Sequence, residues 1–282
     1  MARILKVLSW TLLASLPLVA EVPALDAVLR SELAFARQGE QKGIRAAFLA
    51  WLAEDAPAFT PRMVRARDFY GKEPGDPGSL VWYPEAMGIA TSGDLAWSFG
   101  PWTYAGKKGE AVLAHGHFLS VWRKQGPEGW KVAVDIGIPH PAPERPIPGL
   151  ATPLLPFVSG GTAKPAEAGP ALRQREVDLS AAWRKQGGTA LLPELSREAR
   201  ILRSGAPPAQ GGPAIQKLLE ADRPGSKWEP AYLQVAPSGD LAWACGETGP
   251  DDRGLSSSFL RIWILESGTW KVLFDVRLLH PK

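Results

Sequence analysis

The sequence has very little cysteine, with Cys245 as the only copy in 282 residues. An intramolecular disulfide is therefore excluded, and the apolar surroundings of Cys245 favour a small buried core residue over a reactive thiol. Lysine and arginine form no dense run, which argues against a nucleic-acid partner. The chain also lacks a nucleophile elbow, a phosphate loop, a Cys-x-x-Cys pair and a His-Glu-x-x-His helix. Motifs therefore predict no defined reaction.

The composition is that of a folded protein with many turns. Hydrophobic residues make up 45% and charged residues 22%, which allows a buried core and excludes global disorder. The length suits one large domain or two ordinary ones. Twelve tryptophans, 29 glycines and 27 prolines favour short strands joined by turns over a helical bundle.

Residues 1–20 have the pattern of a secretion signal. Arg3 and Lys6 precede an uncharged apolar stretch, and the small residues Ala20 and Ala24 offer two cleavage positions. An uncleaved anchor is the alternative, but the stretch is shorter than the roughly 20 residues that a membrane-spanning helix needs. Cleavage after position 20 lowers the formal charge from +3 to +1. We therefore predict a periplasmic or secreted bacterial protein with no stable membrane span after signal removal.

An internal repeat is the strongest feature of the chain. Trp82-x-Pro84 and the segment SGDLAW that ends at Trp97 recur 146 residues later, at Trp228-x-Pro230 and at Trp243. Further on, FLSVWRKQGPEGWKVAVDIGIPHP begins at position 118, and FLRIWILESGTWKVLFDVRLLHP begins at position 259. The matches occur in the same order, so we interpret the chain as two diverged copies of one domain.

Each copy has a helical pattern followed by strand patterns. Residues 25–53 show helical spacing with breaks expected at Gly39 and Gly43, and residues 174–195 show it with a break at Gly187 and Gly188. Alternation predicts that Trp130, Val132, Val134, Ile136 and Ile138 share one apolar strand face, with an equivalent row in the second copy. Helices packed on such a sheet give an α+β fold.

These patterns divide the chain into four segments. We predict a signal over 1–20, with cleavage as late as 24, a first domain over 25–141, and a second over 174–282. Residues 142–173 are rich in proline, glycine and alanine, which indicates a linker or a surface strap.

The set of Trp-x-Pro, SGDLAW and WKVAVDIGIPHP resembles the nuclear-transport-factor-2-like superfamily, in its SnoaL-like, ketosteroid-isomerase-like branch of the domain-of-unknown-function 4440 type. The resemblance is strong over residues 27–141 and weaker over 174–281. It implies a cone-shaped domain, in which a curved antiparallel sheet wraps around an N-terminal helix and often encloses a pocket. It also implies that two linked copies could pair through their sheets, the alternative being two independent domains. Members include isomerases, cyclases, dehydratases, hydrolases and non-catalytic binders, so the fold alone does not define a function.

Asp135 is the first candidate for chemistry. It lies on the last predicted strand, opposite the apolar row, where a partly desolvated carboxylate could act as a general base. The alternative is a structural role, paired with Lys131 or Arg123, and the matching Asp275 in the second copy favours that alternative.

His115 and His117 are predicted to share one strand face. They could bind a metal if Asp135 or Tyr104 completed the site, or His117 could act as an acid or base. Ordinary strand residues are the alternative, because this spacing is not specific. We predict no metal and no cofactor.

Trp82, Trp102 and Tyr104 are candidates for lining a pocket, together with His115. Trp102 and Tyr104 have no counterparts in the second copy, so we expect them to face a ligand. We predict an exported protein that binds a small, mostly apolar molecule in the cone of the first domain. The alternatives are a non-enzymatic interaction or assembly module with filled cones, and a lyase or isomerase that uses Asp135 or His117.

Overall fold

The computed structural model describes residues 23–72, 74–126, 129–143, 157–158 and 164–281. The predicted signal, residues 1–20, lies outside the described residues. So does most of the predicted linker. None of the helices in the described ranges combines the length and the apolar character needed to cross a membrane.

The first unit consists of helices followed by a sheet. Its sheet has the order β7-β6-β5-β4-β8, with β3 also paired to β5, and a separate β1-β2 hairpin lies beside it. The elements are α1 (Pro23–Lys42), α2 (Ile44–Trp51), β1 (Pro57–Phe59), β2 (Met63–Arg65), α3 (Ala66–Tyr70), β3 (Ser79–Trp82), β4 (Ala86–Ile89), β5 (Leu95–Ala105), β6 (Val112–Gln125), β7 (Gly129–His140) and β8 (Phe157–Val158).

The second unit also combines helices with a six-stranded sheet, in the order β10-β9-β14-β13-β12-β11. Its elements are α4 (Pro165–Gln186), a 3-10 helix (Gly187–Glu194), β9 (Leu195–Arg203), β10 (Ala206–Gln210), α5 (Gly212–Glu220), β11 (Tyr232–Val235), β12 (Leu241–Thr248), β13 (Ser257–Glu266) and β14 (Thr269–Leu279). All strand pairs are antiparallel except β4-β8 and β9-β14. The predicted α+β class with curled, mainly antiparallel sheets is confirmed.

The helix boundaries differ in detail from the prediction. Gly43, with φ of 85°, separates α1 from α2, but Gly39 stays inside α1. A Cβ atom at position 39 would lie 2.8 Å from the Trp82 ring, so Gly39 serves close packing instead of a break. Gly187 ends α4 as predicted, and α4 begins at Pro165, inside the segment predicted as a linker.

Helix α1 presents one buried face to the sheet. Val28, Glu32, Phe35, Ala36 and Gly39 are buried and recur at helical spacing. Four of these positions are apolar or small. Glu32 is therefore an acidic side chain placed on the core face of its helix.

A β-bulge changes which residues share a face of β7. Trp122 is opposite Val132 and Val121 is opposite Val134, so Ala133 is an extra residue in the ladder. Trp130 and Val132 consequently pack with the helices, whereas Val134, Ile136 and Ile138 face the other way. The prediction of a single apolar row was wrong for this reason, and β14 has the same shift at Leu273.

The outer faces of the two sheets pack against each other. A single apolar cluster combines residues of β5, β6 and β7 with residues of β12, β13 and β14. Phe274 of the second unit lies 4.9 Å from Trp97 and 5.3 Å from Phe99 of the first, measured between ring centroids. Each sheet therefore has one side against its own helices and one side against the other unit.

Polar contacts at the SGDLAW turns join the same two sheets. Thr91 donates its backbone N–H to Asp240 Oδ2 at 2.9 Å. The hydroxyl oxygens of Ser92 and Ser238, which occupy equivalent positions 146 residues apart, lie 3.0 Å from each other. A contact between equivalent residues is what a two-fold relation between the units produces.

We expect Phe274→Ala to lower the free energy of unfolding by about 3–5 kcal/mol, because it opens a cavity between the two sheets. Urea denaturation followed by tryptophan fluorescence measures this loss. Leu113→Ala, at a position that is 69% exposed, is the control and should cost less than about 0.5 kcal/mol. Equal losses in the two variants would contradict the sheet-to-sheet packing.

Candidate functional site

A cavity of about 470 Å³ lies between the helices and the sheet of the first unit. Its wall is largely aromatic. Exposed residues around Lys72, Pro74 and Asp76 mark its opening, and Asp135 and Gly137 of β7 lie on the sheet side. The aromatic residues in the wall are Phe35, Phe48, Phe59, Phe69, Tyr70, Trp82, Trp102, Tyr104 and Phe118.

Asp135 brings a carboxyl group to this cavity. Ser120, directly opposite on β6, donates its hydroxyl to Asp135 Oδ2 at 2.6 Å. The pKa of Asp135 is raised to about 7, chiefly because the group is buried. The hydrogen bond from Ser120 opposes this rise, and the negative charge of Glu32 adds to it. Near neutral pH the group can therefore either donate or accept a proton.

Glu32 lies behind the wall of the cavity and is fully buried. Trp82 Nε1 donates to one carboxylate oxygen at 2.8 Å, and Trp122 Nε1 donates to the other at 3.0 Å. Ser98 adds a third hydrogen bond at 2.5 Å. Burial raises the pKa of Glu32, and these three hydrogen bonds oppose the change. Neither Glu32 nor Asp135 has a basic partner among the described residues.

Trp102 lies flat across two glycines of the sheet. A Cβ atom at Gly116 would lie 2.2 Å from its ring, so only glycine fits there. At Gly137 the nearest ring atom would be 3.4 Å away, which is an ordinary contact. Trp102 Nε1 is buried without a hydrogen-bond partner among the described residues. It is thus a donor that a bound molecule could satisfy.

Tyr104 and Trp82 also line the cavity, as Trp102 does. The Tyr104 hydroxyl donates to Asp76 Oδ1 at 2.9 Å, which places this pair at the opening. Trp82 donates its indole N–H to Glu32, which lies on the side of the ring away from the cavity. The structure therefore brings together four of the residues singled out from the sequence, namely Trp82, Trp102, Tyr104 and Asp135.

His115 and His117 do not join that group. His117 stacks on Phe99, which belongs to the cluster between the two sheets, and its Nδ1 lies 2.7 Å from His140 Nε2. His115 is opposite His140 on β7, and neither histidine lines the cavity. Alternation along β6 puts both on the face opposite Asp135, so Asp135 and His117 cannot act on one molecule. Burial lowers the pKa of His117 to about 3, as do the nearby charges of His140 and Arg200.

The structure does not pair Asp135 with Lys131 or Arg123, and it does not bring Asp135 or Tyr104 to the two histidines as a metal site. Arg123 pairs with Asp55 at 2.6 Å, and Lys131 donates to the carbonyl oxygen of Ala50, so neither reaches Asp135. Tyr104 lies on the cavity side, away from His115 and His117. Within the described residues, no three His, Cys, Asp or Glu side chains gather as a metal site.

The interior of the second unit contains charged side chains where the first has its cavity. Arg261 contacts Glu176 and Asp275 at 2.5 Å each, and Arg203 contacts Asp275 at 2.7 Å. Although burial disfavours ionisation, Arg261, Arg203 and Arg277 hold the pKa of Asp275 below its usual range. The second unit therefore compensates its buried acids internally.

Glu32 and the arginine network were not among the residues singled out from the sequence. The sequence could have predicted that Glu32 is buried, because it lies at helical spacing between Val28 and Phe35 and therefore on the core face of the helix. The repeat could also have pointed to Arg261, since FLSVW of the first copy corresponds to FLRIW in the second. An arginine inserted into an otherwise apolar strand needs a buried acid as partner.

No protein-family model matches the chain, and neither does any curated protein. Among solved structures, an NTF2-like protein of unknown function from Shewanella baltica OS155 is 20% identical. That match covers 40% of this chain and 97% of the other, with a TM-score of 0.32. A second NTF2-like protein of unknown function, from Pseudomonas putida KT2440, is 19% identical over 42% of this chain and 88% of its own, with a TM-score of 0.33.

A third, from Methylobacillus flagellatus KT, is 16% identical over 43% of this chain and 100% of its own, with a TM-score of 0.33. It too is an NTF2-like protein of unknown function.

The same substitution should have opposite effects in the two units. Asp135 binds its proton more tightly in the folded chain, so its contribution to the free energy of unfolding falls as the pH rises from about 4 to about 7. We expect Asp135→Asn to raise the free energy of unfolding by about 2 kcal/mol at about pH 8, with little change at about pH 4. Urea denaturation at both pH values measures this difference.

Asp275→Asn is the matched variant in the second unit. The lowered pKa of Asp275 means that its contribution is present at neutral pH and is lost only in acid. Removing the Asp275 carboxylate leaves buried arginines uncompensated, and we expect Asp275→Asn to lower the free energy of unfolding by about 3–5 kcal/mol.

A loss of stability in Asp135→Asn at about pH 8 would contradict the first expectation. It would show that the Asp135 carboxylate has a partner in the folded protein.

Proposed function

We propose that the first unit binds one small, mostly apolar molecule in its cavity and that the second unit serves as its packing partner. One observation carries this proposal. The two units share a framework, yet the first has a largely apolar cavity of about 470 Å³, whereas the second has a smaller space of about 290 Å³ that is lined by Arg203 and Arg277. In the second unit Arg261 also lies between the two buried acids. The volume of the larger cavity is in the range typical of small-molecule sites, which is about 300–1,000 Å³.

The composition of the wall supports an apolar molecule with few polar groups. Aromatic and aliphatic side chains make up most of the lining, and Asp135 and Trp102 Nε1 supply polar contacts. Sites of this kind bind through apolar burial and gain orientation from a few polar groups. An interaction module describes the second unit better than the first, because buried ion pairs occupy part of its interior.

Acid–base catalysis by Asp135 is a second candidate function. A general acid or base works best when its pKa is near the working pH, and burial raises the pKa of Asp135 to about 7. This would make the first unit a lyase or isomerase. Product formation from the bound molecule tests it: Asp135→Asn should abolish turnover while binding persists, and unchanged turnover would eliminate the candidate.

Export is part of the proposal and rests on residues 1–20. The basic start, the uncharged stretch after Lys6 and the small residues at 20 and 24 support it. The mass of the protein recovered from the periplasm or medium of a bacterial host tests it. A chain that begins after Ala20 or Ala24 is expected, and a chain that keeps Arg3 would contradict cleavage.

The binding proposal predicts a single site that a side chain at position 137 blocks. N-phenyl-1-naphthylamine is an apolar fluorophore that is uncharged near neutral pH. We expect it to bind the wild-type protein once, and Gly137→Leu to weaken binding roughly tenfold or more by filling the cavity. Fluorescence titration gives both dissociation constants.

Gly212→Leu is the matched control for this titration, because it adds the same side chain where no atom lies within 4 Å. It should leave the dissociation constant unchanged. Equal binding by wild type and Gly137→Leu would contradict a ligand site in this cavity.

A further inference from the structure

We infer that the molecule bound by the first unit carries a positively charged amine or guanidinium group, which contacts Asp135 where the second unit holds Arg261. This inference rests on the proposed binding function and specifies the chemical class of its ligand. It follows from comparing the two interiors position by position.

The buried acids occupy equivalent places in both units. Glu32 accepts hydrogen bonds from the indoles of Trp82 and Trp122. Glu176 accepts them from Trp228 and Trp263, at 2.9 and 2.8 Å. Asp135 and Asp275 lie at the same position of the last strand, two residues after the bulge. The two interior acids therefore occupy the same positions in both units.

The second unit shows what such a pair of acids accepts. The Arg261 guanidinium lies between Glu176 and Asp275, and Nε and Nη2 both donate to Asp275 Oδ1. The same guanidinium lies 5.5 Å from the Trp228 ring centroid and 5.4 Å from that of Phe259. Carboxylates combined with aromatic faces make a site for a cation.

Within the part of the chain that the structure describes, the first unit keeps the two acids but has no cation between them. Ser120 stands opposite Asp135 where Arg261 stands opposite Asp275, and Gly137 stands two residues beyond Asp135 where the second unit has Arg277. The aromatic partners are retained, because Trp82 corresponds to Trp228 and Phe118 to Phe259. The two replacements remove both guanidinium groups, and the cavity reaches Asp135 and Gly137.

The basic residues of the lining do not fill this role. Lys72 is exposed at the opening, and Arg45 donates to the carbonyl oxygen of Gly71 there. The sheet side of the cavity therefore presents a carboxyl group and aromatic faces. An apolar molecule with a terminal cation fits this arrangement, with its charged end at Asp135 and its apolar part along the aromatic wall.

Two probes that differ only in the head group test the inference on the full mature chain. 4-Phenylbutylamine is cationic near neutral pH, and 4-phenylbutan-1-ol is a neutral analogue of the same length. Isothermal titration at about pH 8 gives both affinities. We expect the amine to bind roughly tenfold or more tighter than the alcohol. In Asp135→Asn this preference should fall to about threefold or less, because the charge that selects the amine is gone.

An alcohol that binds as tightly as the amine would overturn the inference. The binding proposal would stand in that case, because an apolar molecule still occupies the cavity. Absence of binding by N-phenyl-1-naphthylamine would instead count against the proposed function itself.

A second experiment needs no ligand. Ser120→Arg introduces the arginine of the second unit, and Ser120→Met introduces a side chain of similar reach without charge. If the interior accepts a cation, Ser120→Arg should gain stability relative to Ser120→Met as the pH rises from about 4 to about 8, by roughly tenfold or more in the unfolding equilibrium constant, because only arginine pairs with Asp135 as it ionises. A difference between the two variants that does not change with pH would overturn the inference.

Discussion

A buried glutamate fixed by two tryptophan indoles is the interaction on which each unit depends. Glu32 ties helix α1 to the sheet through Trp82 and Trp122, and Glu176 does the same in the second unit. A buried carboxylate is costly unless hydrogen bonds satisfy it, so these contacts must form together with the helix–sheet core. They also place an acidic centre beside Asp135, and the remainder of the interior has to accommodate it. The second unit does so with arginines, and the first with an open cavity.

The packing of the two sheets decides which side of each sheet is available for a ligand. Trp97, Phe99 and Phe274 occupy the shared face, so that face is filled by the partner unit. The larger space lies on the helix-facing side of the first sheet, with about 470 Å³ there against about 160 Å³ between the units beside Ala133 and Trp243. The second unit thus supplies a surface that covers the first sheet, and its own interior is occupied by charged side chains. The two units therefore differ in what fills the space between their helices and sheets.

Much of the fold followed from the repeat and from periodicity, because helical spacing and strand alternation report local burial directly. Alternation failed at Ala133, where one extra residue moves the following side chains to the other face. Residue type also suggested that His117 and Asp135 could share a site, but the two side chains lie on opposite faces of the sheet. Glu32 and the exchange of Ser120 for Arg261 were visible in the sequence, but their meaning depends on which side chains meet in space. Such pairings across strands and helices are tertiary facts that spacing along the chain does not specify.

We propose that Asp135 faces an open cavity that a foreign cation can enter, whereas the equivalent acid of the second unit, Asp275, is neutralised by arginines. A crystal structure of the protein with 4-phenylbutylamine tests this proposal. We expect density for the ammonium group within hydrogen-bond distance of Asp135, with Arg261 still between Glu176 and Asp275. A cavity closed by collapsed aromatic side chains, or Arg45 turned inward onto Asp135, would contradict it.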